Sequence, residues 1–331
     1  MDIQYTDNPD RIDFESLAIL LNRSGSTEFK ELNSVTKAFT ASAYSVFALA
    51  DDNVVGACRA LSDNIEWTLL TDLAILPEYD ANIIGGAIVD MFTERFKGHE
   101  IFAYTDSRYY TVFEDHGFFR SKNSFTYSGY DGDIGITRLS EKSFLPLGFK
   151  FENEFEAPIM GFPYHTKSKT TSGSVIIRYT DSLDGVDFKD INDLLSNAFG
   201  GRKRELSVTR KAFTGSKYVQ FAFDNEKLIG CARAQSDGIS QGFILNVAVD
   251  PSYQGHHLGR EVVSRLSSQM KGQNIFLNTH PGSVGFYNQK GFRRNKNAFL
   301  FPAHPDMSPE ARRGFMLPKG YRFPDEYCRT D

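Results

Sequence analysis

The chain is written twice, and no other feature of its sequence limits the fold so strongly. Ile3-Gln-Tyr-Thr-Asp7 returns as Ile177-Arg-Tyr-Thr-Asp181, an offset of 174 residues. The same offset carries Lys37-Ala-Phe-Thr40 onto Lys211-Ala-Phe-Thr214, Arg59-Ala60 onto Arg233-Ala234, and Ser62-Asp63 onto Ser236-Asp237. Further on it matches Pro77 with Pro251, Tyr79 with Tyr253, Gly85 with Gly259 and Gly117-Phe118 with Gly291-Phe292. No gap is needed from Ile3 to Phe125, and roughly a third of these positions are identical. A period this long means two copies of one domain, not a solenoid. The tract Lys167-Ser-Lys-Thr-Thr-Ser-Gly-Ser174 is polar and aperiodic, as a linker is. The sequence therefore predicts a first domain over 1–166, a linker over 167–174 and a second domain over 175–331. Residues kept in both copies serve the common fold. Residues that differ where chemistry would sit show which copy can work.

Periodicity makes each copy a mixed α/β unit. In the second, it predicts a strand over 174–179, then a helix over 188–198 with Ile191, Leu194, Leu195 and Ala198 on one face. Runs at 219–223 and 227–234 read as a hairpin, and the nearly continuous apolar run 243–249 as a central strand covered on both faces. Next comes a helix striped by Val262, Val263, Leu266 and Met270, then a strand over 275–278 and a short helix over 285–290. The last strands are expected within 292–301 and around Tyr321. Strand, helix and strand in this order form a right-handed crossover between parallel strands, here flanked by antiparallel hairpins.

Charge and composition narrow the function. A net charge of -5 leaves no electrostatic footprint for general nucleic-acid binding. No apolar run approaches the ~20 residues of a membrane span, and Met1 opens a polar segment unlike a signal peptide. Cys58, Cys231 and Cys328 are odd in number and lack CxxC spacing, against a disulfide framework or zinc ribbon. The expected compartment is the cytoplasm.

The chemistry concentrates between the central strand and the following helix, in Val247-Ala-Val-Asp-Pro-Ser-Tyr-Gln-Gly-His-His-Leu-Gly-Arg260. A glycine-bearing turn that opens a helix is an anion site, because unpaired N–H groups and the helix dipole converge there. It is neither a Walker loop nor a GxGxxG turn. Together with Gly285-Phe-Tyr-Asn-Gln-Lys-Gly-Phe292, this block resembles the GNAT superfamily of acetyl-CoA-dependent N-acetyltransferases. The first block is similar to that family's pyrophosphate-binding motif, the second to its Phe-Tyr-x-x-x-Gly-Phe motif. Through the repeat the resemblance spans nearly the whole chain and implies two tandem GNAT-like acyltransferase domains. It implies that the backbone of Val247 and Val249 pairs with the pantetheine arm of acetyl-CoA. Gln254, Gly255, His256, His257, Leu258, Gly259 and Arg260 would wrap the pyrophosphate. Tyr287 would protonate the departing thiolate as charge develops on sulfur. The implied reaction is direct attack by a primary amine, of a small molecule, in a ternary complex without a metal. His257 stands where the motif usually has its middle glycine, so its Cβ is expected to crowd the pyrophosphate.

The first copy lacks this equipment. At the matching offsets Gln254 becomes Asp80, Gly255 becomes Ala81, His256-His257 become Asn82-Ile83, and Tyr287 becomes Phe113. A carboxylate repels a pyrophosphate, so the first copy reads as non-catalytic. His280 follows the 275–278 strand and either reaches the acceptor cleft or is a surface-loop histidine before Pro281. Asn246 and Asn278, polar in apolar strands, either line that cleft or satisfy backbone groups where the strands separate. Glu205 is repeated as Glu31 in the non-catalytic copy, which favours a structural role. Arg202-Lys203-Arg204 suits an acidic acceptor or the coenzyme's 3′-phosphate, but a short charge run is usually a solvated loop. His256-His257 are adjacent and lack a carboxylate at ligand spacing, against metal binding. Cys231 lies in a hairpin strand, with no sign of an acyl-enzyme. The alternative is a non-catalytic acetyl-CoA sensor or scaffold, and His257 keeps it open.

Overall fold

The computed structural model describes residues 2–25, 31–128, 143–146, 149–151, 177–201, 204–255, 257–288, 291–303 and 314–324. The expected linker over 167–174, His256 and Cys328 lie outside these residues. The first half runs β1 (Gln4–Thr6), α1 (Phe14–Ser24), α2 (Leu32–Thr40), β2 (Tyr44–Ala50), β3 (Asn53–Ser62) and β4 (Trp67–Ile75). It continues through α3 (Ala81–Arg95), β5 (Glu100–Tyr104), α4 (Tyr110–Asp115), β6 (Phe119–Arg120) and β7 (Ser124–Ser128). The second half repeats the order as β8 (Ile177–Thr180), α5 (Phe188–Ala198), α6 (Leu206–Thr214), β9 (Tyr218–Asp224), β10 (Lys227–Ser236) and β11 (Gln241–Val249). It ends with α7 (Leu258–Gln269), β12 (Asn274–Asn278), α8 (Val284–Asn288), β13 (Arg293–Arg294) and β14 (Ala298–Phe301).

The elements stand close to where the periodicity puts them. Helix α5 begins at Phe188 because Asp187 caps it, its carboxylate accepting from the Lys189 N–H. The sequence reading gave no helix for α6, whose buried side chains are Thr209, Ala212 and Phe213 alone. The residues around Tyr321 form no strand; Tyr321 instead packs beside Leu145, Leu317 and Phe323. Strands β4 and β5 pair in parallel, as do β11 and β12, which gives the crossover in each half.

The sheets overturn the contiguous division at 166 and 175. Their strand orders are β1-β2-β3-β4-β5-β14-β6 and β8-β9-β10-β11-β12-β7-β13, so each half has given one late strand to the other. Strand β7 lies antiparallel to β12, with Ser124 opposite Asn278, and β14 lies antiparallel to β5, with Ala298 opposite Tyr104. The exchange buries Phe125 in the second half's core and its repeat counterpart Phe299 in the first half's core. The strands share the aromatic pairs Phe125/Tyr127 and Phe299/Phe301 but differ on the opposite face, where Thr126 accepts from Asn295 and Leu300 packs in the shared core.

A shared core forms where the sheets meet, with Leu61, Leu69, Phe102 and Tyr104 from one side and Phe243, Leu245 and Phe276 from the other. Reciprocal ion pairs bind the same seam. Arg59 reaches Asp237 at 2.8 Å, and its counterpart Arg233 reaches Asp63 at 2.7 Å. Both guanidiniums are fully buried. This explains why Arg59-Ala60 and Ser62-Asp63 recur in both copies.

Candidate active site

The parallel pairing of β11 with β12 stops at Ile244 and Leu277. The cause is a β-bulge in β11, where the register against β10 slips between Cys231 and Arg233. Asn246 sits in it with φ 52°, and its counterpart Asp72 has φ 56°. Asparagine and aspartate tolerate this left-handed region better than other non-glycine residues, which accounts for a polar residue in an apolar strand. Asn246 Oδ1 accepts a hydrogen bond from Arg233 Nε at 2.5 Å. Asn246 lines a cavity, and the group its side chain is seen to satisfy is the buried Arg233 guanidinium and not a backbone group.

Beyond the bulge the strands splay and two adjoining cavities open. The first, about 490 Å³, is lined by Val247, Val249, Gln254, Gly255, His257, Leu258, Gly259 and Arg260, together with Gly282, Ser283, Phe286 and Tyr287. The structure thus brings together every predicted coenzyme residue it describes. Gln254 Nε2 donates to the Val249 carbonyl at 3.2 Å and folds the loop back on its strand. His257 stands at the N-cap of α7 with φ 63°, a conformation natural to glycine and strained for a residue with a Cβ. Its side chain makes no capping hydrogen bond. Among the described residues, no side chain satisfies the first N–H groups of α7, which leaves them free for an anion.

The second cavity, about 360 Å³, lies between the two halves. The first half supplies Trp67, Glu100 and Phe102; the second supplies Leu300 on the strand exchanged into the first sheet, Phe315, Asn192, Leu195, Phe199, Arg204 and the facing stretches of β11 and β12. Val247, Ser283 and Tyr287 belong to both cavities, so Tyr287 stands at their junction. Burial pushes its phenol well above the ordinary tyrosine range, against a hydrogen bond with Thr279 that lowers it. The phenol therefore holds its proton at neutral pH.

His280 and Asn278 line this second cavity, as the cleft reading expected. His280 is half-buried, its Nδ1 accepts from the Gly282 N–H at 3.2 Å, and burial lowers its pKa, which favours neutral imidazole. Asn278 Oδ1 accepts from the hydroxyls of Ser121 and Ser124, both contributed by the first half. Glu205 is exposed and lines neither cavity. Arg204 departs from the solvated-loop reading: it faces the second cavity and pairs with Glu66 across the seam at 2.7 Å. Cys231 is fully buried and its thiol is pushed up to about 12, mainly by burial, which denies it a nucleophile's role. Among the described residues, no group of three or more metal-ligating side chains converges, and no helix is long and apolar enough to cross a membrane.

The sequence reading missed Glu100. It opens β5, beside Trp67 on β4, and points a carboxyl into the second cavity. Burial, helped by the nearby Glu66 charge, pushes that carboxyl up to about 7. Its counterpart in the second half is Asn274, so comparing the copies gave no functional signal.

Comparison with known proteins agrees with this geometry. Residues 188–292 match the acetyltransferase (GNAT) family model. An uncharacterized N-acetyltransferase, ycf52, of Pyropia yezoensis is 30% identical over 144 residues, 37% of this chain and 83% of that protein. The chain belongs to the GNAT family of acetyltransferases. Serotonin N-acetyltransferase 2, chloroplastic, of Oryza sativa subsp. japonica is 32% identical over 124 residues, which span 35% of this chain and 62% of that relative. A GCN5-related N-acetyltransferase from Sphaerobacter thermophilus shares the fold at 12% identity and a TM-score of 0.50, over 93% of this chain and 98% of its own.

The first half of this tandem GNAT protein closes the same groove from within. Asp80 caps α3, its carboxylate accepting from the N–H groups of Asn82 and Ile83 at 2.8 and 3.3 Å. It thus places a fixed anion at the helix start that α7 leaves open. The Tyr109 hydroxyl accepts from the Ile75 N–H at 3.0 Å, on the strand position equivalent to Val249. Phe113 is buried and has no hydroxyl to offer.

Proposed function

We propose that the second half binds acetyl-CoA and transfers its acetyl group to the primary amine of a small molecule, while the first half carries out no transfer. The observation that carries this is the contrast between the helix starts. Helix α7 presents uncapped N–H groups to a cavity that Tyr287 shares, and α3 is sealed by its own Asp80. Acetyl-CoA supplies the activated thioester. The turn 254–260 would hold its pyrophosphate through main-chain donors, and the free edge of Val247 and Val249 would hold its pantetheine arm. At the junction of the cavities, Tyr287 holds a proton where the departing sulfur needs one. The amine would arrive through the second cavity, lose its ammonium proton to water and attack directly as the neutral amine. The C–S bond would break as Tyr287 protonates the sulfur, and the adduct nitrogen's proton would return to the tyrosinate, with the buried Cys231 taking no part.

Calorimetric titration of acetyl-CoA into the full chain tests this reading, with Gly259→Asp alongside. A Cβ at Gly259 meets Val249 and Phe286 at 3.4 Å or more, an ordinary contact, so this variant acts through its carboxylate and not through a clash. The expected result is one binding site, abolished by the substitution. Tyr287→Phe is expected to keep that affinity and lose turnover by ~100-fold or more. Two sites would refute the division of labour, and no binding would favour a scaffold.

A further inference from the structure

The second cavity is built by two halves of which one has no coenzyme groove of its own, and its free charge comes from that half. Trp67 and Phe102 stack at 6.0 Å between ring centroids, and Phe243 meets Phe102 edge-on at 5.6 Å. Phe199, Leu245 and Leu300 extend the apolar wall. Among the described residues, the charged side chains on this cavity's lining are Glu100 and Arg204. Arg204 and Glu66 neutralise each other at 2.7 Å. Among the described residues no side chain donates a hydrogen bond to Glu100, which leaves an unpaired carboxyl on an aromatic wall, negative once the pH exceeds about 7.

We infer that Glu100, supplied by the non-catalytic half, receives the ammonium group of the acceptor, and that the acceptor is a primary amine on a small aromatic or apolar body without a carboxylate. This rests on the proposed transfer by the second half for its function, but the binding it predicts does not depend on acetyl-CoA. An ammonium placed here replaces a solvated cation with a charge-assisted hydrogen bond in a low-dielectric wall. An acceptor that also carries a carboxylate would place a second anion beside Glu100 with Arg204 already paired, and like charges in one site repel. The charged group acting on Glu100 is Glu66; Arg204, paired with Glu66, shares the cavity wall with His280 and Tyr287, and His99 adjoins Glu100 in sequence. Of these, Glu66 raises the Glu100 carboxyl, in addition to burial. Affinity for a cation should then fall as the pH drops below about 7 and the carboxyl takes a proton.

The chain offers its own probe, because Trp67 is its one tryptophan and lines this cavity. Titrating phenethylamine into the full chain while following Trp67 fluorescence is expected to show saturable binding. Phenylalanine, which adds only a carboxylate, is expected to bind at least ~30-fold more weakly. Glu100→Gln should weaken phenethylamine by about 10- to 100-fold and remove the pH dependence near 7. Calorimetry with acetyl-CoA is the control that this variant is folded, since its coenzyme groove is untouched. Equal binding of both ligands, or wild-type affinity in Glu100→Gln, would overturn the inference. So would the absence of any Trp67 response to phenethylamine. Failure of acetyl-CoA to bind the wild-type chain would instead sink the proposed transfer, and the fluorescence result would still decide the role of Glu100.

Discussion

Asp63→Asn and Asp237→Asn make the same atom exchange at repeat-related positions, yet the structure assigns them different costs. Each aspartate uses Oδ1 to accept from three backbone N–H groups of its own turn, those of Ile65, Glu66 and Trp67 or of Ile239, Ser240 and Gln241. Asparagine keeps that oxygen and loses the charge on the other. What remains around each buried arginine decides the outcome. Arg59 still has Asp72 at 2.5 Å after Asp237 is neutralised. Arg233 has Asn246 in the equivalent place, so Asp63→Asn leaves its charge without an anion among these partners. The two guanidiniums already differ in the native protein. Burial, with the nearby Arg204 charge, lowers the Arg233 pKa, and Asp63 with Glu66 does not restore it, whereas Asp72 and Asp237 outweigh burial and raise that of Arg59. In both variants the atom that faced the arginine becomes an NH2 donor and accepts nothing from it. Stranding a buried charge costs about 3–5 kcal/mol, while losing one hydrogen bond to a charged group that keeps another carboxylate costs about 1.5–3 kcal/mol. Chemical denaturation followed by circular dichroism should therefore show Asp63→Asn less stable than Asp237→Asn by about 1–3 kcal/mol. Equal losses, or the reverse order, would refute the claim that net charge at each arginine, and not loss of the turn, sets the penalty.

Other outcomes follow from single features of the site. His257→Gly relieves a Cβ at φ 63° and should stabilise the chain by about 0.5–1 kcal/mol by thermal unfolding, with acetyl-CoA affinity unchanged or tighter; weaker binding would show that the imidazole contributes a contact. Glu100→Gln should alter the pH profile of stability. The folded-state carboxyl, at about 7, lies above its ordinary value, so its contribution is complete at low pH and is lost as pH rises through 7. The variant should therefore gain on the wild type between about pH 4.5 and 7.5, by up to about 3 kcal/mol, in denaturation at several pH values. Residues 175–331 expressed alone lack β7, which pairs with five residues of β12 and carries the fully buried Phe125. This fragment is expected to show no cooperative unfolding transition; a soluble, cooperatively folded fragment would show the exchanged strand to be dispensable.

Much of the unit was legible locally. The apolar stripe of α5, the continuous run of β11 and the glycine turn before α7 each follow from neighbours in sequence, and those neighbours persist in the fold. Helix α6 was missed because its stripe is three residues wide, too sparse for periodicity. Asn246 was legible as an anomaly but ambiguous in meaning, since its bulge and its bond to Arg233 depend on pairing between strands. Glu100 carried no signal at all. A carboxylate at the start of a strand normally faces water, and only the neighbouring half converts that position into a cavity wall.

The sequence by itself determined the duplication, the crossover and most of the elements around it, and which copy retains a glycine turn and a tyrosine hydroxyl. Those are properties of residue types at fixed spacing. The tertiary structure alone decided which sheet receives β7 and which receives β14. Phe125 and Phe299 are repeat counterparts at matching positions of the two strands, and nothing in the repeat itself says which sheet each strand joins. The exchange locks the halves along one seam. A cavity made from two distant stretches of chain is the result, with Tyr287 and Glu100 both on its lining.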